Sequence, residues 1–183
     1  MKKELINYDT IVQVTKNISM SKDPEEMIFD IVKSVRGALD AKGCALFLVS
    51  MENRQLELVA SAGLSEDYLN KGPISAIKSI AGSLQDGPVA ISDVMDDPRI
   101  QYPEEAQKEG IASILSVPIF VKGDVIGAMR VYSEETWEIT LEDVNFVQAL
   151  AQISGLLIDM CRLYEGQNEV IDILTKMRES IPL

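Results

Sequence analysis

Apolar positions along this chain repeat with two different periods, and the switches between the periods mark its elements. Over about residues 3–20, Ile11, Val14 and Ile18 recur at spacings of three and four, with Leu5, Tyr8 and Val12 on an adjoining stripe, which predicts an amphipathic helix. A second helix is predicted in SKDPEEMIFDIVKSVRGALDAKG: Asp23 suits its N-cap, Pro24 its first turn, and Glu26 completes a capping-box pattern. Ile28, Ile31, Val35 and Leu39 form its buried stripe, and it ends near Asp40, before Gly43. The period then changes. Residues 44–51 are a nearly continuous apolar run, ENRQ is a turn, and Leu56, Leu58 and Ala60 alternate with Glu57 and Val59, which predicts a β-hairpin.

Residues 62–112 are irregular and carry Pro73, Pro88, Pro98 and Pro103. Short helices fit at about 74–83 and 103–109, and a short strand at 88–92. A connection this long is uncommon unless it has a function. ASILSVPIFVKGDVIGAMRVYS predicts a second hairpin turning at Lys122-Gly123-Asp124; Pro118 belongs at an edge, a bulge or a position facing away from a neighbour. Thr140 and Asp143 form another capping-box pattern and open a long helix, 140–164. It carries two apolar stripes, one with Phe146, Leu150, Ile153, Leu157, Met160 and Tyr164, the other with Val147, Ala151, Ser154, Ile158 and Cys161. One stripe satisfies a helix on a sheet; two predict a wider buried face that also meets another helix, and Leu150 and Leu157 are assigned to that second contact. The spacing resumes after Gly166 through Val170, Ile171, Leu174 and Met177. Hairpins imply an antiparallel sheet, so the class is α+β with helices collected on one face.

Composition narrows the function. The 183 residues are 46% hydrophobic and 25% charged, the balance of one ordinary globular domain with helical additions. A net charge of −12, from 29 acids and 17 bases, disfavours nucleic acid and anionic lipid surfaces alike. There is no histidine, which removes Ser-His and Cys-His hydrolases and the common zinc sites. Cys44 and Cys161 sit in apolar runs and read as small buried hydrophobes. The first ten residues lack a signal-peptide pattern, and continuous apolar runs fall well short of the ~18–20 residues of a membrane span, so the expectation is a soluble, cytoplasmic protein.

The order of elements, with Ser116-Val117-Pro118, the Gly123 turn, Ile126-Gly127, Val131 and the TLEDVNFVQALAQISGLLI helix in these places, resembles a GAF domain over about residues 21–163. ISDVMDDPR is similar to the segment before that family's fourth strand. The resemblance implies an antiparallel sheet of five or six strands, terminal helices on one face, and an irregular roof with short helices over a small-molecule pocket on the other. It also implies a sensory or regulatory role and dimerisation through terminal helices. The family's cyclic-nucleotide signature is missing. Residues 62–112 lack both the cysteine and the histidine of bilin carriers, haem members need a histidine, and the free methionine sulfoxide reductases of this fold need roof-region cysteines. No cofactor and no catalytic or metal residue is therefore expected.

Against that layout, ISDVMDDPRIQY reads as turn chemistry from Asp93 and Asp97, with Arg99 neutralising a carboxylate, or as a pocket wall with Arg99 or Tyr102 aimed at ligand. Its spacing lacks the features of a calcium loop. In the VIGAMRVYS strand, alternation puts Val125, Gly127, Met129 and Val131 on one face and Ile126, Ala128, Arg130 and Tyr132 on the other. A charge beneath packed helices is costly, so the Gly127 face meets the helices and Arg130 faces the roof. There it pairs with Asp93 or Asp97, or it meets an anionic ligand, with Ser116 sharing the face. GLSEDYLNKGP reads as a solvated face, GSLQDGP lacks the Lys-Ser of a phosphate loop, and Trp137 folds over the start of the long helix. The expected organisation is a dimerisation or signalling helix (1–20), the ligand-binding domain (21–165) and a helical extension (166–183). A homodimer would signal to an output partner or domain. The alternative is an interaction or dimerisation module with no ligand.

Overall fold

A computed structural model describes residues 2–20, 23–75 and 87–179, with side chains described over 8–20, 23–75 and 87–164. Its elements are α1 (Lys2–Met20), α2 (Pro24–Ala38), β1 (Gly43–Val49), β2 (Gln55–Ala62), α3 (Glu66–Leu69), β3 (Ile74–Ser75), β4 (Val89–Ile91), α4 (Pro103–Lys108), β5 (Ser113–Val121), β6 (Asp124–Ser133) and α5 (Leu141–Glu179). The strands form one antiparallel sheet in the order β3-β2-β1-β6-β5-β4. The α+β class and the six-strand sheet agree with the sequence reading.

Local chemistry sets the element ends. Asp23 caps α2 by accepting from the Glu25 N–H at 2.9 Å, and Pro24 occupies the first helical position. At α5 the Asp143 carboxylate accepts from the Thr140 N–H at 3.0 Å and its hydroxyl at 2.9 Å, while the Asp143 N–H donates to that hydroxyl oxygen at 3.2 Å. This is the reciprocal capping box the sequence predicts. The β5–β6 turn holds Lys122 at φ 52° and Gly123 at φ 93°, the positive pair that suits the twist of a two-residue hairpin. The Pro118 carbonyl accepts from Gln148 Nε2 at 2.9 Å, so that side of the proline faces away from β6, beyond the last β4 pair at Ser116.

Two cores flank the sheet. On one face, α1, α2 and α5 pack over Cys44, Leu46, Leu115, Val117, Ile119, Met129 and Val131. Trp137 packs against the same core. On the other, Tyr68 of α3, Ile74, Val94, Ala106 of α4 and Ile111 close over Ala45, Phe47, Ile114, Ala128 and Tyr132. The described residues 62–75 and 87–112 therefore contribute a lid on the face opposite the helices. Residues 74–75, expected in a helix, are instead a two-residue strand paired with β2; the rest of that expected helix lies outside the described residues.

Two bulges alter the expected faces. The register shifts between Leu46/Phe47 opposite Ala60/Leu58, leaving Val59 as the extra residue. Leu56 then joins the lid core, while Ala60 packs on the helical side and Leu58 is exposed. A second shift makes Ile126 extra in β6, and Ile126 packs on the helical side rather than beside Arg130. One inserted residue reverses every side chain beyond it. Gly127 permits close approach, but to β1 and not to the helices: a Cβ there would sit 2.1 Å from the Phe47 carbonyl oxygen. The glycine that brings a helix onto the sheet is Gly155, whose added Cβ would lie 2.9 Å from the Phe120 carbonyl oxygen.

The stripe assignment on α5 is also corrected. Leu150 and Leu157 are buried against the sheet together with Val147, Ala151 and Ile158. Beyond the first residue, Leu141, the outward large apolar positions among the described side chains are Leu156, Met160, Leu163 and Tyr164, exposed by 72%, 42%, 56% and 62%. Continuous apolar runs are short, yet an 18-residue window within Leu141–Tyr164 reaches mean hydropathy 1.4, so by length and composition this one helix passes for a membrane span. Its buried Val147, Leu150, Ala151, Leu157 and Ile158 pack on the sheet, together with the buried polar Asp143 and Ser154, as in a core helix.

Candidate functional site

The site grows from β6. Flanked by Met129 and Val131 on the helical side, Arg130 projects to the lid side with 5% exposure. Its guanidinium carbon lies 5.5 Å from the Phe47 ring centroid. Its Nε and Nη2 are buried and have no hydrogen-bond partner among the described residues, while the neighbouring Tyr132 phenol also interacts with the guanidinium. Ser116 pairs with Arg130 across β5–β6, is fully buried, and its hydroxyl oxygen also lacks a partner. Tyr132 is buried two residues on, its ring edge-to-face with Tyr68 at 5.9 Å and 83°.

The lid supplies the opposite wall. Ser65 caps the short α3 by accepting from the Tyr68 N–H at 3.2 Å. The Glu109 carboxylate accepts from both the Ser65 N–H and its hydroxyl, tying α3 to α4. This places Tyr68 in the lid core and brings Lys71 back over it, with Nζ 3.7 Å from the ring centroid and donating to the Tyr68 carbonyl at 2.9 Å. Gly72, at φ 130°, leaves room for Tyr102, whose hydroxyl donates to the Pro73 carbonyl at 2.9 Å. Gln101 braces the same strand end through the Pro73 carbonyl and the Ser75 N–H. Between the walls lies a cavity of about 20 Å³, lined by Lys71, Arg130, Tyr68, Tyr102, Arg99 and Ile114 among others. That is room for about one water molecule.

Burial, and then the Arg130 cation, push the Lys71 ammonium down to about 8. Burial likewise holds the Tyr68 phenol well above its usual range.

The candidate residues divide. Arg130, Arg99 and Tyr102 line the cavity, and Ser116 and Tyr132 share its side of the sheet. Asp93 and Asp97 do not line it. The Asp93 carboxylate accepts from the Met95 N–H at 2.8 Å, which is turn chemistry. Asp97 accepts from the Arg99 N–H and engages its side chain at 2.9 and 2.6 Å, and these bonds hold its carboxyl below the usual range. The expected pairing of Arg130 with either aspartate is therefore not formed. The sequence pattern places Lys71 and Tyr68 on a solvated face, whereas both line the cavity and Tyr68 is buried. Their three-residue spacing at the end of a short helix was the one available signal that they meet. Cys44 lies on the helical face with its thiol raised by burial, and Cys161 is on α5, so neither is at the cavity. Among the described residues no group of histidine, cysteine, aspartate or glutamate is arranged to hold a metal.

The family model described as GAF domain matches residues 23–158. The chain belongs to the GAF domain family. A curated relative, the methyl sulfide methyltransferase-associated sensor of Methanosarcina acetivorans, is 23% identical over 180 residues, covering 92% of this chain but 18% of its own length. The chain thus spans less than a fifth of that relative. Among solved structures, the GAF domain of a phosphoenolpyruvate-protein phosphotransferase from Coxiella burnetii matches with TM-score 0.79 at 20% identity, over 89% of this chain and 98% of that one. The free methionine-R-sulfoxide reductase from Neisseria meningitidis, in complex with its substrate, matches with TM-score 0.75 at 18% identity, over 88% and 93%. At these identities the structural matches establish the fold alone.

Proposed function

We propose that this GAF domain is a non-catalytic, cytoplasmic sensor that binds a small molecule between sheet and lid and signals through α1 and α5 of a homodimer. The observation that carries the reading is Arg130: a charged side chain with 5% exposure, aimed into the lid-side cavity with two donors unpartnered. An unpaired charge in such a place is costly, and a bound partner removes the cost. A cavity of about 20 Å³ holds no metabolite as it stands, so binding requires the lid to rearrange. A sensor needs two such arrangements, of which the ligand favours one. Residues Met129 and Val131, either side of Arg130, touch the helical core, so a shift of β6 reaches α5 directly. The sensor role of the Methanosarcina relative points the same way. The positions of Cys44 in the helical core and of Cys161 on α5, both away from the cavity, support the non-catalytic reading.

The second copy is argued from α5. Leu156, Met160 and Leu163 are exposed at spacings of four and three, and the sequence continues that rhythm at Val170, Leu174 and Met177 along the same helix. A stripe of this period matches an identical stripe on a second helix. Residues 1–20 and 166–183 then act as signalling helix and extension around the 21–165 domain, feeding an output partner.

A second reading, an interaction module without ligand, is favoured by one observation: the lid core is well filled, with Tyr68, Ile74, Val94, Ala106 and Ile111 all buried. Thermal denaturation across a metabolite panel, with native mass spectrometry of freshly purified protein, separates the two. A saturable rise in Tm accompanied by protection of lid amides from hydrogen exchange supports the sensor. A flat panel together with an intact dimer supports the interaction module.

A further inference from the structure

Resting on the lid-pocket reading above, we propose that the ligand is a short aliphatic monocarboxylate, gripped through both oxygens by the Nε/Nη2 edge of Arg130 and neutralised jointly by Lys71. The unpartnered donors of Arg130 are the two that lie side by side on one edge of the guanidinium plane. That edge presents two parallel N–H groups at the spacing of a carboxylate's two oxygens. The same chain shows the edge when satisfied: Arg99 meets Asp97 through Nε at 2.9 Å and Nη2 at 2.6 Å. At Arg130 the same edge is buried and meets no carboxylate among the described residues.

Three further features define the class. Lys71 puts a second cation at the same cavity, and Ser116 adds an unpartnered hydroxyl beside Arg130 on the same face. Two cations confined together call for a negative charge between them, and burial plus Arg130 already weaken the hold of Lys71 on its proton. Of the carboxylates around the cavity, Asp97 is engaged by Arg99 and Glu109 by Ser65, while Glu105 faces Lys71 from the lid and leaves the Arg130 edge unmet. Of the remaining wall, Arg99 and Gln101 are already engaged, by Asp97 and by the Pro73–Ser75 backbone, which leaves Tyr68, Ile74, Ile100 and Ile114 as the surface for a small hydrocarbon tail.

The proposal carries a pH signature. The groups that face Lys71 are Arg130 and Tyr68 in the cavity wall, Tyr102 and the Arg99–Asp97 pair beside it, Tyr132 behind it, and Glu105 and Glu109 on the lid. A bound anion raises the affinity of Lys71 for its proton. Affinity is then full below pH about 8 and falls as pH rises beyond it, where the unliganded ammonium loses its proton.

The test titrates sodium propionate against sodium chloride at equal ionic strength, with acetate, isobutyrate, succinate and the isosteric neutral propionamide as comparators. The readouts are Tm and the Arg130 Nε–Hε resonance of the wild-type protein. The expected result is a saturable rise in Tm and a shift of that resonance with the monocarboxylates, and neither with chloride or propionamide. Arg130→Lys is expected to weaken binding about tenfold or more, because the charge remains and the paired donors are lost. Arg130→Met abolishes it, and Lys71→Met weakens it and removes the fall above pH about 8. An unmoved Arg130 resonance with all three monocarboxylates overturns the proposal, whatever the variants do. If a neutral metabolite instead stabilises wild type and Arg130→Met alike, the carboxylate proposal fails and the lid-pocket reading stands. If no compound of any class stabilises the protein, both fail.

Discussion

Replacing Leu156 and Leu163 together with glutamate tests the dimer at its centre. Leu156, Met160 and Leu163 expose 72%, 42% and 56% of their surface, so covering them on two protomers removes the equivalent of about three and a half whole side chains from water. At about 2 kcal/mol each this amounts to about 7 kcal/mol, an upper figure because free helices already shield some of that surface. The two leucines account for about 5 kcal/mol of it, so the double variant weakens dimerisation by roughly 10³- to 10⁴-fold before repulsion between the new charges is added. Sedimentation velocity over a dilution series measures the shift. Because both positions are solvent-exposed in the protomer, the Tm of the diluted monomer should move little. Leu150→Ala is the control: fully buried against the sheet, it should cost about 2–5 kcal/mol of folding stability and leave the association constant alone. A double variant that dimerises as tightly as wild type would refute the assignment of this stripe to a second copy.

Gly127→Ala puts a methyl group 2.1 Å from the Phe47 carbonyl oxygen and 3.2 Å from the Leu48 Cα, and two hydrogen-bonded strands have little freedom to separate. Urea denaturation should report a loss of about 1–3 kcal/mol or more, and a neutral result would mean the β1–β6 approach is looser than its register implies. For Lys71, the folded protein binds its proton less tightly than the unfolded chain, with a pKa of about 8 against the ordinary value near 10.4. The unfolded state therefore holds more protons between those values, and stability relative to Lys71→Met should rise as pH increases from about 8 to about 10.5. Parallel curves for the two proteins over that window would show that Lys71 is not confined as described.

How the site emerged differs from residue to residue. Asp93 revealed its role locally, since a short carboxylate two residues from a backbone N–H needs no distant partner to form its turn. Arg130 was legible as a lid-side charge because strand alternation held from Ala128 to Tyr132, but its unpaired state was not, since Asp97 meets Arg99 only two residues away. Lys71 was hidden by the acidic start of the short helix it follows.

By itself the sequence determined everything that depends on neighbours a few residues apart: the Asp23 and Thr140–Asp143 caps, the Lys122-Gly123 turn, the two hairpins and the period of each helix. Tertiary structure decided what depends on distant chain segments meeting. The bulges at Val59 and Ile126 exist only in the pairing with a neighbouring strand, and they determined which residues reach which core. The choice between stripes on α5 was made where Gly155 lets the helix settle on β5, burying Leu150 and turning Leu156 outward. One cation from the sheet and one from the lid came to share one cavity for the same reason: periodicity assigns a side chain to a face, and only the fold decides what stands opposite that face.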